Sequence, residues 1–269
     1  ALVPHAFSTR LGGVSLSPHD SLTFQPAARS LAHLGGPDEV TYDGAPTDEH
    51  ERVAENYRRF AAAAGGTGRQ IACVCQVHCC DIAAWPGEAN ETVRQDPLAV
   101  VAKADALATD DPGVLLCVRA ADCVPILLAS CDGRAVAAIH AGWRGVVSGA
   151  AVAALHRLRE QFNITPPNAI AAIGPCISVQ HFEVGPEVVE AFEQAALHEA
   201  IDRSYEPRPH IDLPGAIALQ LERAGVPVSQ IDRTDRCTYR DREEFFSHRR
   251  DAGKTGRNAA IIGCRLSGE

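Results

Sequence analysis

This sequence predicts a mixed α/β fold rather than a strictly alternating doubly wound one, and three observations predict it. Apolar runs of strand length stand at residues 114–119, 125–129, 135–140 and 169–173, each bounded by polar or glycine-bearing turns. Long helical periods occupy 145–162, 186–198 and 212–224 and interleave with further strands. Two of the apolar runs flank Cys131-Asp132-Gly133, a turn that makes an antiparallel hairpin and breaks strict alternation.

The elements follow in order. Residues 3–8 read as a short strand, and Leu11-Gly12-Gly13-Val14-Ser15 as a tight turn able to bring backbone amides and Arg10 to a ligand. Residues 17–48 are rich in Pro, Gly and Asp without a sustained period, which predicts loop. Within 48–64, Val53, Tyr57 and Phe60 recur at helical spacing, and Gly65-Gly66 ends that helix. Residues 70–77 alternate as a strand does; carried on to 78, the alternation sets Gln76 and His78 on one side and Cys73 and Cys75 on the other. A polar loop with Pro86, Gly87 and Pro97 comes next. The 145–162 helix turns Val146, Ala150, Ala153, Ala154 and Leu158 inward, and 169–173 is a buried strand closed by Gly174-Pro175. The last strands are expected at 228–233 and 259–264. No repeat or low-complexity linker divides the chain, so one domain over 1–269 is expected.

Composition narrows the function classes. With 46% hydrophobic residues over 269 positions, the chain can bury a core without disulfide staples. Its ten cysteines are therefore read as reduced thiols, including the adjacent Cys79 and Cys80. A formal charge of −9 offers no general attraction to nucleic acid or anionic membranes. No apolar stretch approaches the roughly 20 residues of a membrane span, and no basic-then-apolar leader opens the sequence. A cytoplasmic protein, monomeric or a small homo-oligomer, is the expectation.

Three segments put a metal ligand at or just past a strand end: Gln76-Val77-His78, Ala121-Asp122-Cys123 and Ile139-His140-Ala141-Gly142-Trp143-Arg144-Gly145. If those strands share a sheet, one thiolate and two imidazoles can meet around a tetrahedral ion and leave its fourth position open, as catalytic zinc requires. Asp122 beside Cys123, and glycines on both sides of Trp143-Arg144, are unusual in a plain core, where unpaired charge is costly to bury. Cys75, His78 and Cys79 form a rival local set, which alternation disfavours. A second constellation is basic: Arg10, Arg144, and Ser247, Arg249, Arg250 and Arg257 adjoin small residues. Forked guanidinium donors in such settings suit a compact anion such as phosphate; salt bridges to surface acids are the plain alternative.

As an ordered set, these residues resemble the laccase-domain purine nucleoside phosphorylase family. The resemblance is carried by His5-Ala6-Phe7-Ser8-Thr9-Arg10-Leu11-Gly12-Gly13-Val14-Ser15, Gln76-Val77-His78, Ala121-Asp122-Cys123-Val124-Pro125, His140-Ala141-Gly142-Trp143-Arg144-Gly145, Ile173-Gly174-Pro175-Cys176-Ile177 and residues 246–257. It implies β-sheets sandwiched between helices, akin to a bacterial toxin deamidase domain. It also implies zinc on His78, Cys123 and His140, phosphorolysis of adenosine, inosine, guanosine and methylthioadenosine, and adenosine deamination as a second activity. Copper is the other metal implied, since members have been described as polyphenol oxidases. The chain departs from the family pattern at Thr23, where an asparagine is usual, and at Cys79, where a glycine is usual.

On that reading His78, Cys123, His140 and Asp122 are the catalytic set, with Asp122 shuttling a proton in deamination. Purine nucleosides and inorganic phosphate are the expected partners, the phosphate held by Arg10, Arg144 and Arg249. Three other readings stand beside it. A multicopper oxidase gathers its coppers on H-x-H pairs, and none of the 11 histidines lies two positions from another, although copper can still fill a single N and S site. A metal-free hydrolase uses Cys123 as nucleophile and His140 as base. A binding module carries a closed structural metal.

Overall fold

The computed structural model describes residues 3–17, 19, 21–24, 49–87 and 98–266. Most of the predicted loops at 17–48 and 86–97 lies outside them. In chain order the described elements are β1 (His5–Phe7), α1 (His50–Ala63), β2 (Gln70–Cys75), β3 (Ile82–Ala84), β4 (Leu98–Lys103), β5 (Ala106–Thr109), β6 (Val114–Ala120), β7 (Val124–Ser130) and β8 (Val136–Ala141). There follow α2 (Trp143–Val147), α3 (Ala150–Phe162), β9 (Ala169–Ile173), α4 (Pro186–Gln194), β10 (Ile201–Asp202), β11 (His210–Ile211), α5 (Leu213–Arg223), β12 (Ile231–Arg233) and β13 (Asn258–Ile262).

Two sheets stack face to face. The first runs β1-β13-β6-β2-β4, the second β12-β9-β7-β8-β5-β3, and β10 with β11 forms a separate two-residue ribbon. Each large sheet mixes parallel and antiparallel pairs: β6 lies parallel to β2 but antiparallel to β13, and β9 lies parallel to β12 but antiparallel to β7. The predicted hairpin is present, with Ile126 opposite Ile139.

Strand periodicity explains the four layers. Along β6, Leu116 and Val118 face the second sheet and pack with Leu127, Val136 and Ala138, while Leu115 and Cys117 face α1 and pack with Val53, Tyr57 and Phe60. Along β7, Ile126 and Leu128 face the helices and pack with Leu155, Leu158, Ile217 and Leu221. The layers are therefore helix, sheet, sheet, helices. Strands buried on both faces read as unbroken apolar runs, which is why 114–119 and 125–129 show no polar alternation.

Several expectations need correction. The 145–162 helix is two helices: Gly149 has φ +73, outside the helical range, so α2 ends and α3 starts anew on another axis. Ala153 is only half-buried, and Leu155 takes the inward place. After His78 the structure adds β3, β4 and β5 around the expected polar loop; β3 and β5 are short, alanine-rich segments that carry little strand propensity. Strand β9 is buried on one face only, and Ile170 stays 36% exposed. Residues 228–230 form a 3₁₀ turn before the three-residue β12. The second long helix stops at Gln194.

The inter-sheet layer should dominate stability. Leu127→Ala is expected to cost about 2–5 kcal/mol in urea unfolding, whereas Leu266→Ala, at a side chain 42% exposed, should stay within about 0.5 kcal/mol.

Candidate active site

The chain crosses from the first sheet to the second in three residues, Ala121-Asp122-Cys123, between β6 and β7. Cys123 thus sits on the seam of the two sheets. His78 follows β2 in the first sheet, and His140 lies on β8 in the second, opposite Pro125. The strands that carry these residues do not share one sheet, the arrangement the sequence reading supposes; the stacking of two sheets brings them together. Strand β2 also ends at Cys75, after a register shift between Cys73 and Cys75, so alternation does not reach His78. His78 instead adopts φ +61, a left-handed conformation uncommon without glycine.

The ligand atoms of His78, Cys123 and His140 all lie within 4.8 Å of one another, and the two rings meet edge to face at 5.0 Å. Backbone closes in from the side. A Cβ on Gly142 would stand 3.0 Å from Cys123 Sγ and 3.1 Å from His78 Cδ2, so any larger residue would press the cluster apart by a few tenths of an ångström. The rival set does not assemble: Cys75 is buried toward α1, and Cys79 Sγ accepts the amide of Asp81 at 3.3 Å. Burial pushes the Cys79 thiol up to about 11, against metal binding.

The residue that sequence reading missed is Asp105. Its Oδ1 lies 2.7 Å from His140 Nδ1, and its Oδ2 accepts the amides of Val77 at 2.9 Å and Cys79 at 2.8 Å. One fully buried carboxylate therefore orients His140 directly and grips the backbone on both sides of His78. With Nδ1 occupied, His140 offers Nε2 to the cluster. An acid in Ala104-Asp105-Ala106 was the available signal, because a buried carboxylate must have partners.

The electrostatics follow. Burial opposes charge on Asp105, but its bond to His140 and the two amides outweigh it and lower the carboxyl to about 2. Burial also opposes a Cys123 thiolate, yet the His140 charge and hydrogen bonds from both histidines bring it down to about 6. His140, disfavoured as a cation by burial, is raised to about 9 by the Cys123 charge and the Asp105 bond. A thiolate and two imidazoles, one backed by a carboxylate, are a donor set suited to zinc or copper. The residues fit such an ion, and among the described residues this is the one cluster of its kind.

The cluster forms part of the wall of a cavity of about 230 Å³ that also takes in Asp122, Arg144, Arg249 and Arg257. Trp143, Ile177, Phe182 and Leu213 supply its apolar surface. Arg144 stacks on Trp143 at 4.4 Å and Arg249 on Phe182 at 5.4 Å. Arg119, Gln76 and His248, not singled out as site residues from sequence, line it too; Gln76 Oε1 accepts the Arg119 amide and Gln76 Nε2 donates to the Arg119 carbonyl. Asp122, at φ +87, accepts the Thr238 hydroxyl at 2.7 Å and the Arg249 amide at 2.6 Å.

Arg10 is placed elsewhere. Its guanidinium lies 4.6 Å over Phe246 and donates to the Arg242 carbonyl, beside a separate shallow hollow. The Gly12-Gly13 turn serves chain packing rather than a ligand: the Gly13 amide donates to Ser21 Oγ and the Val14 amide to Asn56, and a Cβ on Gly13 would sit 2.0 Å from the Ser21 carbonyl. Arg250 is also structural, donating to the carbonyls of Thr238 and Phe245 and pairing with Asp251.

Asp105→Asn should weaken metal binding by about 10–100-fold, measured as zinc retained against a graded series of chelators. Unchanged retention would show that Asp105 does not organise the ligands.

Residues 4–265 match the family model described as multi-copper polyphenol oxidoreductase laccase. Over 264 residues the chain is 36% identical to a purine nucleoside phosphorylase of Deinococcus radiodurans, spanning 97% of this chain and 89% of that protein. It is 38% identical over 260 residues to purine nucleoside phosphorylase YfiH of Escherichia coli, spanning 95% and 91%. The crystal structure of YlmD from Geobacillus stearothermophilus superposes with a TM-score of 0.80 at 33% identity, and that of the Bacillus licheniformis hypothetical protein YfiH with 0.82 at 26%, each covering 98% of this chain and 93% of the other. A match over nearly the whole length, together with relatives above 30% identity, means that the chain belongs to the laccase-like multi-copper polyphenol oxidoreductase family.

Proposed function

We propose that this protein is a zinc-dependent purine nucleoside phosphorylase acting on adenosine, inosine, guanosine and methylthioadenosine, with adenosine deamination as a second activity. The observation that carries this reading is one cavity joining three parts: the His78, Cys123 and His140 donors, a set of arginines, and flat apolar walls. The names of the Deinococcus and Escherichia relatives support the phosphorylase activity. Ten free thiols support a cytoplasmic location, and no helix among the described residues is long and apolar enough to cross a membrane.

In phosphorolysis a phosphate oxygen bonds to C1′ of the ribose as the C1′–N9 bond breaks. The bonding pair leaves with the purine, which takes up a proton, and the products are free base and sugar 1-phosphate. Arg144 and Arg249 hold the phosphate, so that its negative charge lies against the positive charge developing on the ribose. Ring faces and aliphatic side chains from Trp143, Phe182, Ile177 and Leu213 accept the base and displace water. Zinc on His78, Cys123 and His140 supplies Lewis acidity. Asp105 keeps His140 in the tautomer that presents Nε2.

A second reading is favoured by the Cys123, His140 and Asp105 alignment, which without metal is a thiolate, an imidazolium and an orienting acid. This is the arrangement of a cysteine hydrolase. Loss of activity with a chelator and its return with zinc argues against it. Retained activity in metal-free protein argues for it. Metal analysis of protein purified without added copper separates zinc from copper use.

Incubation with a nucleoside panel, with and without phosphate, should release free base and sugar phosphate only when phosphate is present, and ammonia from adenosine alone. Cys123→Ala should strip the metal and abolish both activities while the circular dichroism melt stays cooperative; wild-type turnover in that variant would refute the mechanism. Arg144→Ala should raise KM for phosphate about 10–100-fold, the range set by losing one charged hydrogen bond, with a much smaller change for the nucleoside.

A further inference from the structure

Asp122 stands next to the sulfur ligand and gathers three other segments of chain. Its carbonyl accepts the Ile177 amide at 3.0 Å. One carboxylate oxygen accepts the Thr238 hydroxyl, and the other accepts the Arg249 amide. The first two of those segments are themselves joined, since the Thr238 amide donates to the Cys176 carbonyl at 3.0 Å and the backbones of Cys176 and Cys237 pair side by side in parallel. The third carries His248 and Arg249 into the cavity wall. Asp122 is only 8% exposed, so its oxygens are satisfied by these donors rather than by water.

This geometry gives both oxygens of Asp122 a structural task. Each oxygen already accepts a bond from a group that holds the loops together, and one of those donors is a backbone amide that keeps its proton. A carboxylate oxygen keeps a second lone pair, so it is the tie between loops, and not a want of room, that assigns the role. The left-handed backbone at Asp122 turns its side chain toward these partners, and of the non-glycine residues aspartate and asparagine bear that conformation best.

We propose that Asp122 is a positioning residue, which ties the Arg249 segment to the chain beside Cys123 and so holds the anion-binding guanidinium in register with the metal ligands. The proposal rests on the phosphorolysis reading in one respect, that the anion is inorganic phosphate. No proton transfer at the substrate passes through Asp122.

Two substitutions separate positioning from acid–base chemistry. Asp122→Asn keeps the shape and the grip: its amide can donate to the Thr238 oxygen while its carbonyl accepts from Arg249, but it cannot carry a proton. Asp122→Gly tolerates φ +87 without strain and has no grip. In zinc-loaded protein, Asp122→Asn should hold kcat and KM for phosphate within about tenfold of wild type, the cost of weakening charged hydrogen bonds. Asp122→Gly should keep its zinc but raise KM for phosphate about 10–100-fold, with KM for the nucleoside little moved. Calorimetric titration with inorganic phosphate should show Kd rising by the same factor. Thr238→Val, which removes one strut only, should move phosphate affinity in the same direction by a smaller factor.

If Asp122→Asn proves as inactive as Asp122→Gly while binding zinc and phosphate like wild type, Asp122 moves a proton and the proposal is overturned. Wild-type phosphate affinity in Asp122→Gly overturns it as well. Should the glycine variant fail to fold, unchanged phosphate affinity in Thr238→Val has the same force. A wild-type protein that releases no base in phosphate refutes the phosphorylase reading alone, and the phosphate titrations still decide the role of Asp122.

Discussion

The site depends on how one buried carboxylate divides its lone pairs. Asp105 gives one oxygen to His140 and the other to the amides flanking His78, so two histidines far apart in the chain are set by a single side chain. Burying that anion alone would cost several kcal/mol. Three donors offset the cost, and each also fixes a ligand. The unfavourable backbone of His78 is thereby held by bonds to the residues before and after it. Preorganisation of this kind lets soft ligands keep their places before an ion arrives, so the ion need not order them.

The two sheets make that division possible. His140 enters from the second sheet, His78 from the end of the first, and Cys123 from the short link between them. Side chains drawn from both halves of a stacked core cannot shift independently, because the inter-sheet layer is close-packed. The basic groups come from a different source: Arg249 and Arg257 lie on irregular chain near the end of the described residues. The sheet-borne cluster, Arg144 on α2 and the loop-borne Arg249 and Arg257 therefore line one cavity, and loops commonly carry binding residues in this way.

Much of the architecture was legible because doubly buried strands and long helices leave strong patterns. The three members of the His78, Cys123 and His140 cluster were legible because chemistry-bearing residues at strand ends are conspicuous in motifs such as Ala121-Asp122-Cys123. What stayed hidden was long-range or conformational. Asp105 finds its ligand partner 35 residues away, and no local period reports that. Gly149 splits a helix through a positive φ, whereas the alanines around it read as unbroken helix. Strand β2 stops before His78 because its register slips, and period-two counting has no sign for a slip. Arg10 looked ligand-bound because a glycine turn can present amides, but Ser21 and Asn56 had already taken them.

Strand β13 lies between β1 and β6 in the first sheet, although it is the last strand in chain order. A ribosome delivers β6 long before the segment that pairs with its free edge. Until residues 258–262 are in place, that apolar edge of β6 has no partner on this side, and open strand edges invite pairing with other chains. Closing the first sheet beneath the seam of the two sheets thus waits on residues far along the chain, and a chain lacking 258–262 leaves β6 without its antiparallel neighbour.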